Sequence, residues 1–306
     1  MIIGGVDTSA LPDQFPGAVS GRTAIIDGDG PAYRAAATVK TLPTGIRRFQ
    51  QDILTQMFMV NAEDAQVYLT HEQSKKAGRF NIKAVKPYQG QRKGSAKPPL
   101  LSQVRHAVVQ DENRLEEFSV SMEYIVEADD AMIMQAYLLK DDGVIMSDDK
   151  DLRMTPYKYF DQTTGKVIDS DPFGHLYTKC TDSGTLKVLG HSLKFFWAQM
   201  LMGDTADNVK GILKLDGKLC GPAAAYEFLH PMKSIEEVCN AVIGAYREID
   251  QNPLPEGYLL WLLRHPHDSF WRYLQELPLL DINVKFLNDC VKRDWFTVPE
   301  DTHEDC

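Results

Sequence analysis

Through the first half of the chain, short apolar runs alternate with stretches whose apolar positions recur at helical spacing. Thr23–Asp27 (TAIID), running into Gly28, Asp29, Gly30 and Pro31, reads as a buried strand ending in a turn. Ala65–Thr70 (AQVYLT), Glu123–Val126 (EYIV) and Gly143–Ser147 (GVIMS) read as a second, third and fourth strand. Between them, Tyr33–Val39 and Leu101–Phe118 are expected to be helical. Ile46–Val60 carries Ile46, Phe49, Ile53, Leu54, Met57 and Phe58 on one helical face. Asp129–Lys140 starts with acids, where the helix dipole favours them. This alternation predicts an α/β fold with a central, mainly parallel sheet flanked by helices. From residue 191 onward the reading is helical, with helices over His191–Met202, Ala223–His230, Ser234–Tyr246, Tyr258–Arg264 and Phe270–Leu277. The expected organisation is a loose leader over 1–22, an α/β core over 23–190 and a helical region over 191–306.

Composition narrows the class. The 306 residues, 43% hydrophobic, suffice for one large domain or two modest ones. No apolar run is long enough to cross a bilayer, and the first residues lack the basic start and apolar stretch of a secretory signal, so no membrane partner is expected. Cys180, Cys220, Cys239, Cys290 and Cys306 are scattered, with no CxxC pair. That pattern predicts reduced thiols and a cytoplasmic location, not a disulfide frame or a zinc site. A formal net charge of −10 argues against a nucleic-acid partner when taken alone. The distribution argues the other way. Between His71 and His106 lie Lys75, Lys76, Arg79, Lys83, Lys86, Arg92, Lys93, Lys97 and Arg105, with Glu72 as the sole acid.

The acids cluster where strands end. Asp27 closes the first strand, Glu127, Asp129 and Asp130 follow the third, and Asp149 and Asp151 follow the fourth. Asp204 and Asp207 follow the first helix of the second half, in LMGDTADNV. Open parallel sheets bind ligands beyond the carboxyl ends of their strands. Two carboxylates about 4 Å apart repel by roughly 4 kcal/mol at an effective dielectric of about 20, so a converging set needs protons or cations. All the candidate ligands are hard oxygens, which suits Mg²⁺, with Mn²⁺ as a substitute, and disfavours zinc. Two such ions about 3.5–4 Å apart can activate a water and stabilise the leaving oxygen of a phosphodiester. Against this stands the plainer reading of each acid as a cap or a solvated charge, which suits Asp29 and Asp148 and serves equally for Asp129 and Asp130. Asp149-Lys150-Asp151 has a loose likeness to a calcium loop but lacks the glycine and glutamate that loop requires.

The segments AIIDGDGPAYRAAA, PYQGQRK, EADDA, MSDDKDL and MGDTADNVKGI, in that order from Ala24 to Ile212, resemble the 5′ nuclease family. That family comprises bacteriophage 5′–3′ exonucleases, the 5′ nuclease domains of bacterial DNA polymerases, and flap endonucleases. The resemblance implies a 5′ nuclease-like core with a helix–turn–helix-type DNA-binding element in the helical region. It implies metal-dependent hydrolysis of DNA at or near a 5′ end or 5′ flap by a two-metal mechanism, with an RNA–DNA hybrid as a further substrate and a monomer as the working state. Asp27, Glu127, Asp129, Asp130, Asp149, Asp151, Asp204 and Asp207 match the family's metal-binding acids. Glu127, Asp129 and Asp149 would lie nearest the scissile phosphate, and Asp130, Asp151, Asp204 and Asp207 would serve the second ion. Gly28 would let the backbone approach closely beside Asp27. Tyr88 and Arg92 match a motif on an arch over the site, made here by the basic segment 71–106. There Tyr88 would stack on a base, with a half-buried packing role suiting it equally well on sequence, while Arg92 would hold the phosphate, and Arg79 and Lys83 would touch DNA.

Three departures accompany the resemblance. Gln89 stands where a lysine follows the tyrosine, so the catalytic cation would come from Lys86 or Lys93. The acid expected after the second strand is missing, with His71 and Glu72 in its place. The duplex-gripping segment Leu213–Pro222 is long, so phosphate contacts would fall to Gly217, Gly221, Lys210, Lys214 and Lys218. Two other functions stay open. Asp27-Gly28-Asp29-Gly30 and Gly203-Asp204 resemble motifs of haloacid-dehalogenase-like phosphatases, although Pro31 departs from that pattern. A non-catalytic, structure-specific DNA-binding protein is the other.

Overall fold

The computed structural model describes residues 2–3, 6–7, 17–91, 97–181 and 184–297. Of the leader, it describes an antiparallel pairing of β1 (Ile2–Ile3) with β2 (Val6–Asp7), and residues from Gly17 on. The centre is a six-stranded sheet. It contains β3 (Thr23–Asp27), β4 (Asp64–Thr70), β5 (Phe118–Glu123), β6 (Gly143–Met146), β7 (Tyr159–Asp161) and β8 (Lys166–Ile168), in the order β5-β4-β3-β6-β7-β8. All neighbours are parallel except β7 and β8.

Helices cover both faces, and the sequence of β3 shows why. Ala24 and Ile26 point to one face and Ile25 to the other, all fully buried, as expected of a central parallel strand. On the first face lie α1 (Asp29–Thr38), α2 (Leu42–Met59) and α3 (Leu101–Val108), with Phe49, Ile53 and Val104 in the core. On the second face lies α4 (Ala128–Leu139), through Met132 and Ile133. A third core belongs to the second half. Here α5 (Ser192–Met202) buries Phe195, Phe196, Trp197, Met200 and Leu201 among α6 (Pro222–Leu229), α7 (Ile235–Glu248), α8 (Leu254–Leu260), α9 (Phe270–Glu276) and α10 (Asp281–Val291).

Several expectations need correction. The third strand is Phe118–Glu123, not Glu123–Val126. Phe118, Val120 and Met122 alternate toward the core, whereas Tyr124 and Ile125 are exposed. The helix expected over Leu101–Phe118 stops at Val108. The hairpin of β9 (Leu176–Cys180) with β10 (Leu186–Gly190), strands β7 and β8, and helix α10 were not anticipated. Among its described residues, the basic segment 71–106 contains only a short 3₁₀ stretch, Lys76–Asn81, before α3.

Candidate functional site

Parallel registry brings the strand ends together. Asp27 closes the central strand, opposite Tyr68 of β4, and Met146 ends β6 beside Ile26. Gly28 follows because a Cβ there would lie 2.8 Å from a Val67 methyl and 2.9 Å from the Tyr68 carbonyl, as the sequence led one to expect. A cleft of about 590 Å³ opens at this edge. Asp27, Glu127, Asp129, Asp149 and Asp207 line it, together with Asp29, His71, Glu72, Lys76, Gln89, Lys97 and Arg105.

Local structure sets each acid. Asp27 accepts hydrogen bonds from the Asp29 amide (3.0 Å) and the Ser147 hydroxyl (3.2 Å). Glu127 is the N-cap of α4 and forms a reciprocal capping box with Asp130, leaving Asp129 in the first turn at the cleft. Asp149 accepts the Asp151 amide at 2.9 Å. α5 ends at Gly203, whose φ of +73° and crowding by the Val209 and Lys210 backbone exclude a side chain. The chain then closes a tight loop in which Asp204 and Val209 exchange backbone hydrogen bonds of 2.9 and 2.7 Å. This loop sets carboxylate oxygens of Asp151, Asp204 and Asp207 within 4.8 Å of one another.

Crowding and burial show in the protonation of these groups. Burial, then repulsion from Asp29, raises the Asp27 carboxyl to about 6. Burial, followed by Asp27 and Asp149, pushes Asp129 well above the usual carboxylate range. Asp151 rises to about 7, again mainly through burial, although Lys150 opposes the shift. Asp204 moves the other way: burial would raise it, but the Lys150 ammonium and hydrogen bonds outweigh that and lower it. Lys150 lies 2.8 Å from Asp151 and 2.9 Å from Asp204, and Gln199 donates to Asp151 at 2.5 Å.

Among the described basic residues, Lys76, Arg79 and Arg105 are engaged inside the protein, whereas Lys75, Lys83, Lys86 and Lys97 are exposed. Arg79 was expected to touch DNA. Instead it is 3% exposed and makes a two-point ion pair with Asp130, at 2.7 and 2.8 Å, plus bonds to Glu127 and the Trp261 carbonyl. Asp130 is fully buried, and it also accepts the amides of Glu127 and Leu263. Its oxygens therefore face a guanidinium and two amides, not the cleft occupied by Asp129. Tyr88 is also corrected as a stacking platform. It is 7% exposed, and its hydroxyl donates to Glu127 at 2.7 Å. Lys83 is exposed and pairs with Asp294 at 2.6 Å. Lys86 is exposed, while Arg92 and Lys93 lie outside the described residues. Gln89 occupies the cleft, donating to Asp207 at 2.9 Å, and its carbonyl accepts from Lys76 at 2.6 Å. Lys76 also pairs with Glu127 at 2.9 Å.

In the helical region, Asp216 and Gly217 (φ +50° and +74°) form a two-residue turn closed by Leu215 and Lys218. Lys214, Gly217 and Lys218 are exposed, Gly221 precedes α6, and Lys210 is half-buried with its amide on Glu256. Asp29, Arg105, Lys76, Lys150, Gln199 and Ser147 join the site without having been assigned to it from sequence. Of these, Lys76 and Arg105 carried the signal of the basic segment, Asp29 that of the motif after the first strand and Lys150 that of its flanking acids, whereas Gln199 and Ser147 carried none.

The donor set fits a hard divalent cation. Every grouped ligand atom is a carboxylate oxygen, and lysine ammonium groups sit against the same acids. An acid-lined cleft at the carboxyl edge of a parallel sheet thus defines a candidate metal centre. No family model matches the sequence, and no curated protein matches it. Solved structures similar to the chain include three of bacteriophage T5 proteins. One is a T5 protein co-crystallised with metal ions (16% identity, TM-score 0.49). Another is a T5 5′-exonuclease mutant (17%, 0.45). A third is a T5 flap endonuclease in a pseudo-enzyme–product complex with DNA and metal ions (17%, 0.48). Each alignment covers 88% of this chain and 98% of the other. Among the described residues no helix is long and apolar enough to cross a membrane.

Proposed function

We propose that this protein is a divalent-metal-dependent 5′ nuclease that hydrolyses DNA phosphodiesters at or near 5′ ends. The observation that carries the reading is the convergence of Asp27, Glu127, Asp129 and Asp149 with the Asp151–Asp204–Asp207 group at one sheet edge. The ordered motifs between Ala24 and Ile212 supply the 5′ polarity. Asp27, Glu127, Asp129 and Asp149 would hold one ion, and Asp151, Asp204 and Asp207 a second. Bound Mg²⁺ or Mn²⁺ would supply Lewis-acid stabilisation of the phosphoryl oxygens and an acidified water.

The chain's own residues do the rest. Ser147 and the Asp29 amide orient Asp27, Gln199 and Lys150 orient Asp151, and the capping box orients Glu127. The exposed Lys214–Lys218 turn would meet duplex phosphates. Hydrolysis forms a bond from water oxygen to phosphorus and breaks the bond to the 3′ oxygen. The products are a 5′-phosphate and a 3′-hydroxyl.

The test uses a 5′-flap duplex and a blunt duplex, end-labelled, with Mg²⁺, Mn²⁺ or EDTA. Metal-dependent cutting at the flap junction or from the 5′ terminus is expected, and the ladder separates flap endonuclease from exonuclease. Binding without cutting in either metal would sink the enzymatic reading.

A further inference from the structure

We propose that Lys76 is a catalytic residue of this cleft, its ammonium serving the phosphodiester under attack, with Gln89 as its positioning residue. The inference rests on the nuclease reading above.

The backbone gives the first reason. Lys76 and Ala77 both adopt left-handed conformations, with φ of +49° and +53°, before Gly78 at +77°. Left-handed residues other than glycine cost roughly 1–2 kcal/mol each, and such strain persists only where surrounding structure holds it. Here the Ser74 hydroxyl accepts the Lys76 amide at 3.2 Å, and the Ile125 carbonyl accepts the Ala77 amide at 2.8 Å. The strained turn directs the Lys76 side chain into the cleft.

The contacts give the second. Lys76 is not needed to neutralise Glu127 from inside the protein. Arg79 and the Tyr88 hydroxyl already engage Glu127 Oε2, at 3.2 and 2.7 Å. Lys76 takes the other oxygen, Oε1, at 2.9 Å. Gln89 donates its amide N–H groups to Asp207 and Tyr88, which turns its carbonyl toward Lys76. The result is an ammonium on a flexible four-carbon stem, held beside the acids that would bind metal and partly open to solvent. When Glu127 is taken up by a cation, that ammonium is released within reach of the only other anion the cleft would receive, the substrate phosphate. It transfers no proton; it offsets charge on the non-bridging oxygens as the bond to the 3′ oxygen breaks.

The test compares the parent with Lys76→Met, Gln89→Ala and the double variant Lys76→Met/Gln89→Lys. Single-turnover cutting of a 5′-flap duplex, flap affinity, thermal melting and Mn²⁺ affinity without DNA are measured for each. Loss of Lys76 should slow cutting about 100-fold, the size typical of removing one transition-state charge stabiliser. Flap affinity should stay within about threefold. Gln89→Ala should slow cutting less. Gln89→Lys in the Lys76→Met background should restore at least tenfold, since it returns an ammonium to the same place. Mn²⁺ affinity should tighten severalfold in Lys76→Met, because Glu127 loses a competing cation. Cutting by Lys76→Met within threefold of the parent would overturn the assignment. So would a loss that Gln89→Lys does not relieve, or weaker Mn²⁺ binding, either of which makes Lys76 a structural counter-ion. A parent that cuts nothing sinks the nuclease reading itself, whereas a parent that cuts no faster than Lys76→Met sinks this inference alone.

Discussion

Arg79 and Asp130 form a two-point ion pair in the interior, at 2.7 and 2.8 Å, that ties the 3₁₀ turn of the basic segment to the first turn of α4. The same guanidinium reaches the Trp261 carbonyl just beyond α8, so the pair links the α/β half to the helical half directly behind Glu127 and Asp129. Breaking such a pair from one side leaves a buried charge and costs about 3–5 kcal/mol. Arg79→Met should therefore lower the urea midpoint sharply, and Arg79→Met/Asp130→Leu should recover most of the loss. A double variant no better than the single would show that the pair's value lies in its other hydrogen bonds.

On the proposed metal reading, Lys150 and a divalent cation would compete for the same oxygens of Asp151 and Asp204. With Lys150→Met, Asp151 and Asp204 lose their ammonium partner, so the metal-free protein should melt several degrees lower. Saturating Mn²⁺ should then raise the melting temperature by more than it does for the parent. An equal metal-induced rise in both proteins would mean that Lys150 and the ion do not share ligands.

The metal-free protein should become more stable as pH falls from 8 toward 6. Asp27 and Asp151 have folded-state values of about 6 and 7, above the 3.8 of the free carboxyl. In that window the folded state binds more protons than the unfolded state, so stability drops as pH rises. The gain at pH 6 should be on the order of 1–2 kcal/mol, about 1.5–3 °C in melting temperature for a chain of this length. Asp149 contributes to both upward shifts. Burial is the larger cause, so Asp149→Asn should shallow the profile without abolishing it, and a profile unchanged by that substitution would show that repulsion from Asp149 adds nothing to it. Below about 4 the direction reverses for Asp204, whose lowered value favours the folded state only while it is ionised.

Two helix glycines should respond in opposite directions to alanine. At Gly257 in α8 a Cβ would sit 2.0 Å from the Phe270 ring, in the aromatic cluster of the helical half, so Gly257→Ala should cost about 1–3 kcal/mol or more by overpacking. At Gly244 inside α7 a Cβ meets nothing within 4 Å. Gly244→Ala should stabilise by about 0.8–1 kcal/mol, the difference in helix propensity. Chemical denaturation of both variants checks the pair.

Much of the architecture was readable in the chain. Ala24–Ile26, inside Thr23–Asp27, and Gly143–Met146 are short apolar runs of the kind buried parallel strands use. Once those strands are parallel neighbours, Asp27 and Asp149 share one edge, so the pattern pointed to the acid cluster while leaving each acid's reading as a cap or solvated charge open. The third strand was misplaced because Tyr124 and Ile125 look like core residues by type yet stay exposed, and type alone does not report burial.

The sequence by itself determined the α/β core, the edge at which its acids gather and the hard-oxygen character of the candidate metal centre. Those properties depend on local periodicity and on the order of strands. Only the tertiary structure decided what each charge faces. Arg79 lies 51 residues from Asp130 and 182 from Trp261 along the chain, and Gln89 lies 118 from Asp207. Such pairings are set by how the two halves pack, and nothing in local spacing encodes them. A run of nine basic residues therefore reads as one DNA-binding surface in sequence. In three dimensions its described members part company: Arg79 is a buried strut, Lys83 and Arg105 pair with Asp294 and Asp29, Lys76 is held in the cleft against Glu127, and Lys75, Lys86 and Lys97 are exposed.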